Sequence, residues 1–332
     1  METHSFAGAL LRWFAQYGRE LPWRGIDDAY GIWVSEVILQ QTRIEQGRDY
    51  WLRFMERFPT VEALAAASED EVLRYWQGLG YYSRARNLHA AARQIVERGG
   101  FPRTIEGLRA LKGVGEYTAA AVGSMAFGLP VAAVDGNVYR VLSRHYGITE
   151  PINTARGKRT FAALAQQLVP AGDASAFNQA MMDFGATWCT PRSPRCSDCP
   201  VGETCNALRT GRTSQLPVKE NKPKVRERHL TYIYIRHEGK TALRRRPAGD
   251  IWQGLWEPLL VEEAPVPDLG CPLQQLASGV RHVLTHRILL ADFYLAEPVT
   301  RPNLPPEYVW IDESDIDSHA VPRLVEKLLE LL

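Results

Sequence analysis

Four cysteines crowd into one stretch of this chain: Cys189, Cys196, Cys199 and Cys205, spaced C-x6-C-x2-C-x5-C. Whatever fold surrounds them must bring four thiols round a single loop. Four-cysteine ligation suits tetrahedral zinc or a cubane iron–sulfur cluster. Zinc sites more often show two close C-x2-C pairs, and here there is one. Spacing alone leaves the two metals open. Cys271 stands apart, and an odd cysteine count without a secretory signal argues against a disulfide framework. Met1 to Phe14 shows no basic start before an apolar block, and no apolar stretch is long enough to span a bilayer. The default expectation is a monomer with no membrane contact, located in the cytoplasm and associated with the nucleoid.

At 332 residues the chain is long enough for two domains. The first two-thirds reads as helical. Leu10, Leu11, Trp13, Phe14 and Tyr17 recur at helix spacing, and Ser68 followed by Glu71 reads as a capped helix start. Further helices are predicted over 84–98, 117–127, 138–146 and 160–169. From Leu230 the pattern turns β-like, with strands also expected in 280–295 and 307–311 and a closing helix over 321–332. This gives a multidomain chain: a mainly α-helical domain over 1–207 holding the cysteine loop at 189–205, a basic linker over 208–228, and a mixed α/β domain over 229–332. Net charge is only +1. The linker is nonetheless locally basic, with Arg209, Arg212, Lys219, Lys222, Lys224, Arg226 and Arg228 opposed by Glu220 and Glu227. Such a run could follow phosphates, and it is also what a solvated linker looks like.

Leu111-Lys112-Gly113-Val114-Gly115 precedes the predicted helix at Tyr117. Two glycines allow a tight turn with backbone N–H groups pointing outward, next to the positive end of a helix. Such a turn can hold a DNA phosphate without reading sequence. Two carboxylates stand out as well. Glu36 lies in Ile32–Gln40, a helix apolar nearly all round, with Gln40 one turn on. Apolar surroundings favour a protonated carboxyl, which a general acid requires. The alternative is a surface glutamate paired with a cation such as Arg24. Asp135 opens the next helix, where the dipole favours the ionised form; it also reads as a plain N-cap. A neutral acid beside a charged carboxylate is the division of labour that glycosidic bond cleavage needs.

Together these residues resemble the MutY branch of the endonuclease III-like helix-hairpin-helix superfamily. The matching stretches are Leu21 to Arg24, Ser35 to Thr42, Gly78 to Leu88, Leu111 to Thr118, Val134 to Val138, and Phe177 to Asp183 leading into the cysteines. The resemblance implies a DNA glycosylase of base excision repair with a [4Fe–4S] cluster. Its substrate would be double-stranded DNA with adenine mispaired with 8-oxoguanine or guanine, the adenine being flipped into a pocket. In that scheme Glu36 protonates adenine N7 and Asp135 stabilises the sugar cation. Tyr117 and Asn137 support them by hydrogen bonds. Trp23 and Arg24 wall the adenine pocket, and Gln41 and Tyr81 wedge into the base stack. Leu111, Gly113, Val114 and Gly115 form the DNA-binding turn. Lyase-type relatives carry a lysine nucleophile where this chain has Tyr117, and a tyrosine cannot form the imine. Base removal with little or no strand cleavage is therefore expected.

The second domain resembles the Nudix-like domain by which this family recognises 8-oxoguanine, through Arg246-Pro247 and Ile251 to Glu257. The acidic metal-binding box of Nudix hydrolases is absent. Leu284, Thr285 and His286 align with a Phe-Ser-His recognition loop, two of the three residues being changed. Two competing readings are a pyrimidine glycosylase with lyase activity and a non-catalytic DNA-binding iron–sulfur protein. Tyr117 and the second domain count against the first, and the pair Glu36 and Asp135 against the second.

Overall fold

A computed structural model describes residues 6–220, 226–284 and 286–332. Helices account for the first part of the chain: α1 Phe6–Tyr17, α2 Ala29–Ile38, α3 Ile44–Arg57, α4 Val61–Ala66, α5 Glu69–Trp76, α6 Ser83–Glu97 and α7 Ile105–Arg109. They continue with α8 Glu116–Phe127, α9 Gly136–Tyr146, α10 Ala155–Leu168, α11 Ala174–Thr187 and the short α12 Asn206–Arg209. Strands follow: β1 Arg226–His237, β2 Lys240–Arg245, β3 Trp256–Glu257, β4 Leu259–Val261, β5 Leu273–Val283, β6 Arg287–Ala296 and β7 Tyr308–Asp312, then α13 Arg323–Leu329. Among the described residues no helix is long and apolar enough to cross a membrane.

The chain forms two compact units. One comprises 1–65 and 90–221; the other comprises 66–89 and 222–332. The first is helical and built round Leu10, Trp13, Val138, Leu142, Phe161, Phe177 and Phe184, all buried. Its α2 is buried on every side from Tyr30 to Ile38. That matches the absence of a polar face in its sequence. The helix starts where Asp28 accepts from the N–H groups of Tyr30 and Gly31. It ends at Ile38, so Gln40 lies just beyond it rather than one turn along, and the Gln40 amide reaches the Thr118 hydroxyl at 3.2 Å.

The second unit joins α5 and the start of α6 to a seven-stranded mixed sheet. Strand β1 runs parallel to β6 and antiparallel to β2 and β4, and β5 pairs β6. Its continuous apolar run feeds both faces of the sheet. Leu230, Tyr232 and Tyr234 pack with Leu324, Val325 and Leu328 of α13, while Ile233 and Ile235 pack with Leu259 and Tyr308.

The expected linker at 208–228 is only partly one. Leu216 is buried, its carbonyl accepts from Arg144, and the Ile152 N–H donates to Val218. Residues 206–220 thus lie on the helical unit, and β1 has already begun at Arg226. The apolar anchor Leu216, hidden among prolines and charges, is what the composition concealed. Arg228 does not face phosphate either: it is paired with Asp250 and Glu262, each at 2.7 Å. Lys222 and Lys224 lie outside the described residues.

Candidate active site

A cavity of about 990 Å³ opens in the helical unit, and Glu36 and Asp135 both line it, with Trp23, Arg24, Tyr117 and Asn137. Glu36 comes from the buried helix α2 and is 7% exposed. The Tyr117 hydroxyl, from the first turn of α8, donates to Glu36 Oε2 at 2.7 Å and also lies 3.2 Å from the Met182 sulfur. Burial pushes Glu36 up to about 7, against the Tyr117 hydrogen bond and the charge of Arg24, with the Asp135 charge adding to the rise. Its carboxyl can hold a proton near neutral pH. The Tyr117 bond occupies one oxygen and leaves the other to carry that proton. Tyr117 itself, raised well above its ordinary value by burial and the Glu36 charge, remains a donor.

Asp135 is the N-cap of α9. It accepts from the backbone N–H of Asn137 (2.9 Å) and Val138 (2.8 Å) and from the Asn137 side-chain amide (2.7 Å). The N-cap geometry is as the sequence predicts, but the net direction of its pKa is not. Burial raises Asp135 too, and the donors at Val138 and Asn137 with the charge of Arg140 only oppose that rise. The asymmetry between the carboxyls therefore lies in their donors. Three N–H groups stabilise the Asp135 anion, one hydroxyl the Glu36 anion, so Asp135 gives up its proton first.

Arg24 does not pair with Glu36, as the alternative reading had it. Arg24 and Arg19 both grip the buried Asp183: Arg24 makes two bonds of 2.7 Å, and Arg19 binds through its backbone N–H, Nε and Nη2. This clamp fixes the wall beside Glu36 and, among the described residues, leaves Glu36 without a cationic hydrogen-bond partner.

The four cysteines, Cys189, Cys196, Cys199 and Cys205, are free thiols lining one small cavity with Phe184, Trp188 and Val201. Among the described residues no three His, Cys, Asp or Glu side chains are placed to hold a single metal ion. Four thiols round one largely apolar chamber are consistent with an iron–sulfur loop. Arg144 supplies positive charge there, 3.4 Å from the Cys189 sulfur, and also binds the carbonyls of Thr190 and Pro191.

Residues 34–169 match the profile of the HhH-GPD superfamily of base excision DNA repair proteins, and residues 231–331 match that of the NUDIX domain. Human adenine DNA glycosylase is 46% identical over 227 residues, covering 65% of this chain and 41% of the human protein. The adenine DNA glycosylase of Buchnera aphidicola subsp. Acyrthosiphon pisum (strain APS) is 32% identical over 259 residues, covering 77% of this chain and 74% of that protein. The chain belongs to the adenine DNA glycosylase family. It spans less than half the length of the human and mouse relatives, 41% and 46%. A solved thermostable thymine-DNA glycosylase superposes with a TM-score of 0.58 and 31% identity, covering 62% of this chain and 95% of that one. An endonuclease III bound to DNA superposes with a TM-score of 0.53 at 24% identity, covering 62% and 94%, and shares the fold of the helical part.

The remaining predicted residues of this family member fall into three places. The Leu111–Gly115 turn joins α7 to α8, with Gly113 at φ +76°. Leu111 and Val114 are 3% and 9% exposed, so their side chains anchor the turn, while Lys112, Gly113 and Gly115 are exposed. The Lys112 and Val114 N–H groups are used internally, on Gln94 and Leu111. The outward-pointing set is thus smaller than the sequence implied. Gln41, at the cavity rim, and Tyr81, in the other unit, are both non-glycine residues with positive φ, +61° and +47°. Such backbone is strained and gathers at functional positions. In the sheet unit Leu284 and His286 sit at the tip of the β5–β6 hairpin, where the Leu284 N–H donates to Arg287. His286 is exposed there rather than held in the sheet; Thr285 lies outside the described residues.

Two residues escaped the sequence reading. Asp183 looked like part of a motif, and nothing local announced its two arginines. Arg140 sits one turn past Asn137 on α9; it bonds Asn137 Oδ1 (2.8 Å), the Gly185 carbonyl (2.6 Å) and the Cys189 carbonyl (2.8 Å). Its position at i+3 from Asn137 was the available signal. Gly185 permits the close approach of α11 to α9, since a Cβ there would stand 2.5 Å from that of Asn137.

Proposed function

We propose that this chain removes adenine from DNA in which it is mispaired with 8-oxoguanine or guanine, hydrolysing the N-glycosidic bond with little or no cleavage of the strand. The observation that carries the reading is the pair Glu36 and Asp135, two carboxyls of unlike environment lining one cavity. Glu36 is the acid: its proton goes to adenine N7 as the base leaves. Tyr117 holds that carboxyl in place and keeps its free oxygen toward the base. Asp135, fixed by Asn137 and Val138, faces the sugar and balances the positive charge that develops on it. Water completes the hydrolysis. Trp23 and Arg24 bound the adenine, Arg24 held by Asp183. Tyr117 offers no amine to the abasic sugar, which supports base removal without lyase chemistry.

The family resemblance supports a [4Fe–4S] cluster rather than zinc, which Cys189, Cys196, Cys199 and Cys205 would hold. When bound, the cluster ties the loop together. Double-stranded DNA would be gripped by the backbone of Gly113 and Gly115 and wedged by Gln41 and Tyr81. The base opposite adenine would be read by Leu284, Thr285 and His286. The test is incubation with duplexes carrying adenine opposite 8-oxoguanine, with strand breaks compared before and after hot alkali. Breaks are expected mainly after alkali, with activity lost in Asp135→Asn. Breaks without alkali would point to a lyase, and binding without reaction to a non-catalytic protein.

A further inference from the structure

Tyr81 is 46% exposed and stands on a turn bounded by Gly78 (φ +92°) and Gly80 (φ +72°). The turn is closed from within. The Trp76 indole N–H donates to the Gly80 carbonyl (3.1 Å), Arg84 donates to the carbonyls of Leu79 and Gly80, and the Arg84 guanidinium lies over the Trp76 and Tyr81 rings. A residue at φ +47° holds that backbone only when its surroundings dictate it.

Those surroundings include the C-terminal part of the same compact unit. Four residues before Tyr81, the Gln77 side-chain amide donates to Glu326 Oε1 of α13 at 2.6 Å, and Gln77 Oε1 accepts from the Val321 N–H at 3.4 Å. Five residues after it, Arg86 donates to the Gln253 carbonyl. At the far end of α5, Arg245 pairs with Glu69 (3.0 Å) and Asp70 (2.8 Å). The exposed aromatic is therefore flanked on both sides by contacts with α13 and the β2–β3 connection, although it belongs in sequence to the helical region. Gln77 is the central pin. It caps α5, its amide both gives and takes a hydrogen bond, and one acceptor is a carboxylate, the stronger kind of bond.

We propose that Gln77 is a positioning residue for selectivity toward the base opposite adenine: through Glu326 and Val321 it makes the Tyr81 turn and the C-terminal sheet one body, so that recognition by the sheet sets how Tyr81 enters the base stack. The proposal rests on the activity and the Tyr81 role proposed above. Gln77→Glu sets two carboxylates against each other at this contact. Glu326→Gln in that background restores a donor–acceptor pair in the reverse sense, the new amide at position 326 donating to the new carboxylate at position 77.

The experiment measures single-turnover adenine excision opposite 8-oxoguanine and opposite guanine, for the full chain, Q77E, E326Q and Q77E/E326Q. Thermal melts and the fluorescence of 2-aminopurine beside the opposing base are followed in parallel. The preference for 8-oxoguanine is expected to fall about tenfold in Q77E, with a smaller 2-aminopurine signal, and to return to within about twofold of the parent in the double variant. A preference unchanged in folded Q77E overturns the inference alone. So does a loss that the double variant, folded like the parent, fails to restore. If the parent chain excises adenine from neither duplex, the proposed activity falls and the inference with it.

Discussion

The Tyr117 hydroxyl donates to Oε2 of Glu36 across 2.7 Å, from the first turn of one buried helix to the flank of another. This contact stabilises the Glu36 anion, while burial favours the protonated acid and prevails. Removing the hydroxyl in Tyr117→Phe should therefore raise Glu36 further. The alkaline limb of the excision rate should move to higher pH, and adenine excision should slow as the carboxyl loses its tether. A pH–rate profile of the variant checks both; a limb displaced to lower pH would contradict the assignment.

Glu36 costs the fold stability at neutral pH. Its carboxyl rises from 4.5 unfolded to about 7 folded, so the folded state binds the extra proton between those values. Stability is then lost as pH climbs through that window, by about 3 kcal/mol in all. Glu36→Gln removes this dependence. Urea unfolding should find the variant no more stable than the parent at pH 4 and more stable at pH 8. Excision should drop by about 10²–10⁴-fold.

Asp183 should behave in the opposite sense. Burial alone would raise it, but the bonds from Arg24 and Arg19 outweigh burial and hold it below the ordinary carboxylate value. Its contribution is present at neutral pH and lost as pH falls through the acid range. Asp183→Asn leaves two guanidinium groups with no counter-charge at a fully buried side chain, so a loss of about 3–5 kcal/mol at pH 7 is expected. Chemical denaturation of the helical unit measures it, and an unchanged midpoint would contradict the clamp.

Cys199→Ser should lower the iron and sulfide recovered per chain and destabilise the 189–205 loop. Zinc in the purified parent at one ion per chain, without sulfide, would contradict the cluster assignment.

The sequence exposes features whose cause is local and conceals those that depend on distant partners. The all-apolar run at 30–38 is legible as a buried helix because burial on every side leaves no polar stripe. Asp135 is legible as an N-cap because its acceptors serve the next residues along the chain. The cysteines announce themselves by spacing. The raised Asp135 depends on a burial that residues remote in sequence create. The Asp183 clamp joins residues more than a hundred positions apart. The 208–220 part of the expected linker reads as linker because Leu216 is its one buried residue. The grouping of 66–89 with the sheet includes contacts distant in sequence, such as Gln77 to Glu326, that leave no periodic trace.

On the proposed mechanism, excision needs Glu36 in its protonated form within reach of neutral pH. Single-turnover excision of adenine opposite 8-oxoguanine, measured from about pH 5.5 to about 9.5, tests this directly. The rate is predicted to fall about tenfold per pH unit above an apparent pKa near 7, with that limb absent from Glu36→Gln. A rate that rises through pH 7, or a limb that survives the substitution, would contradict it.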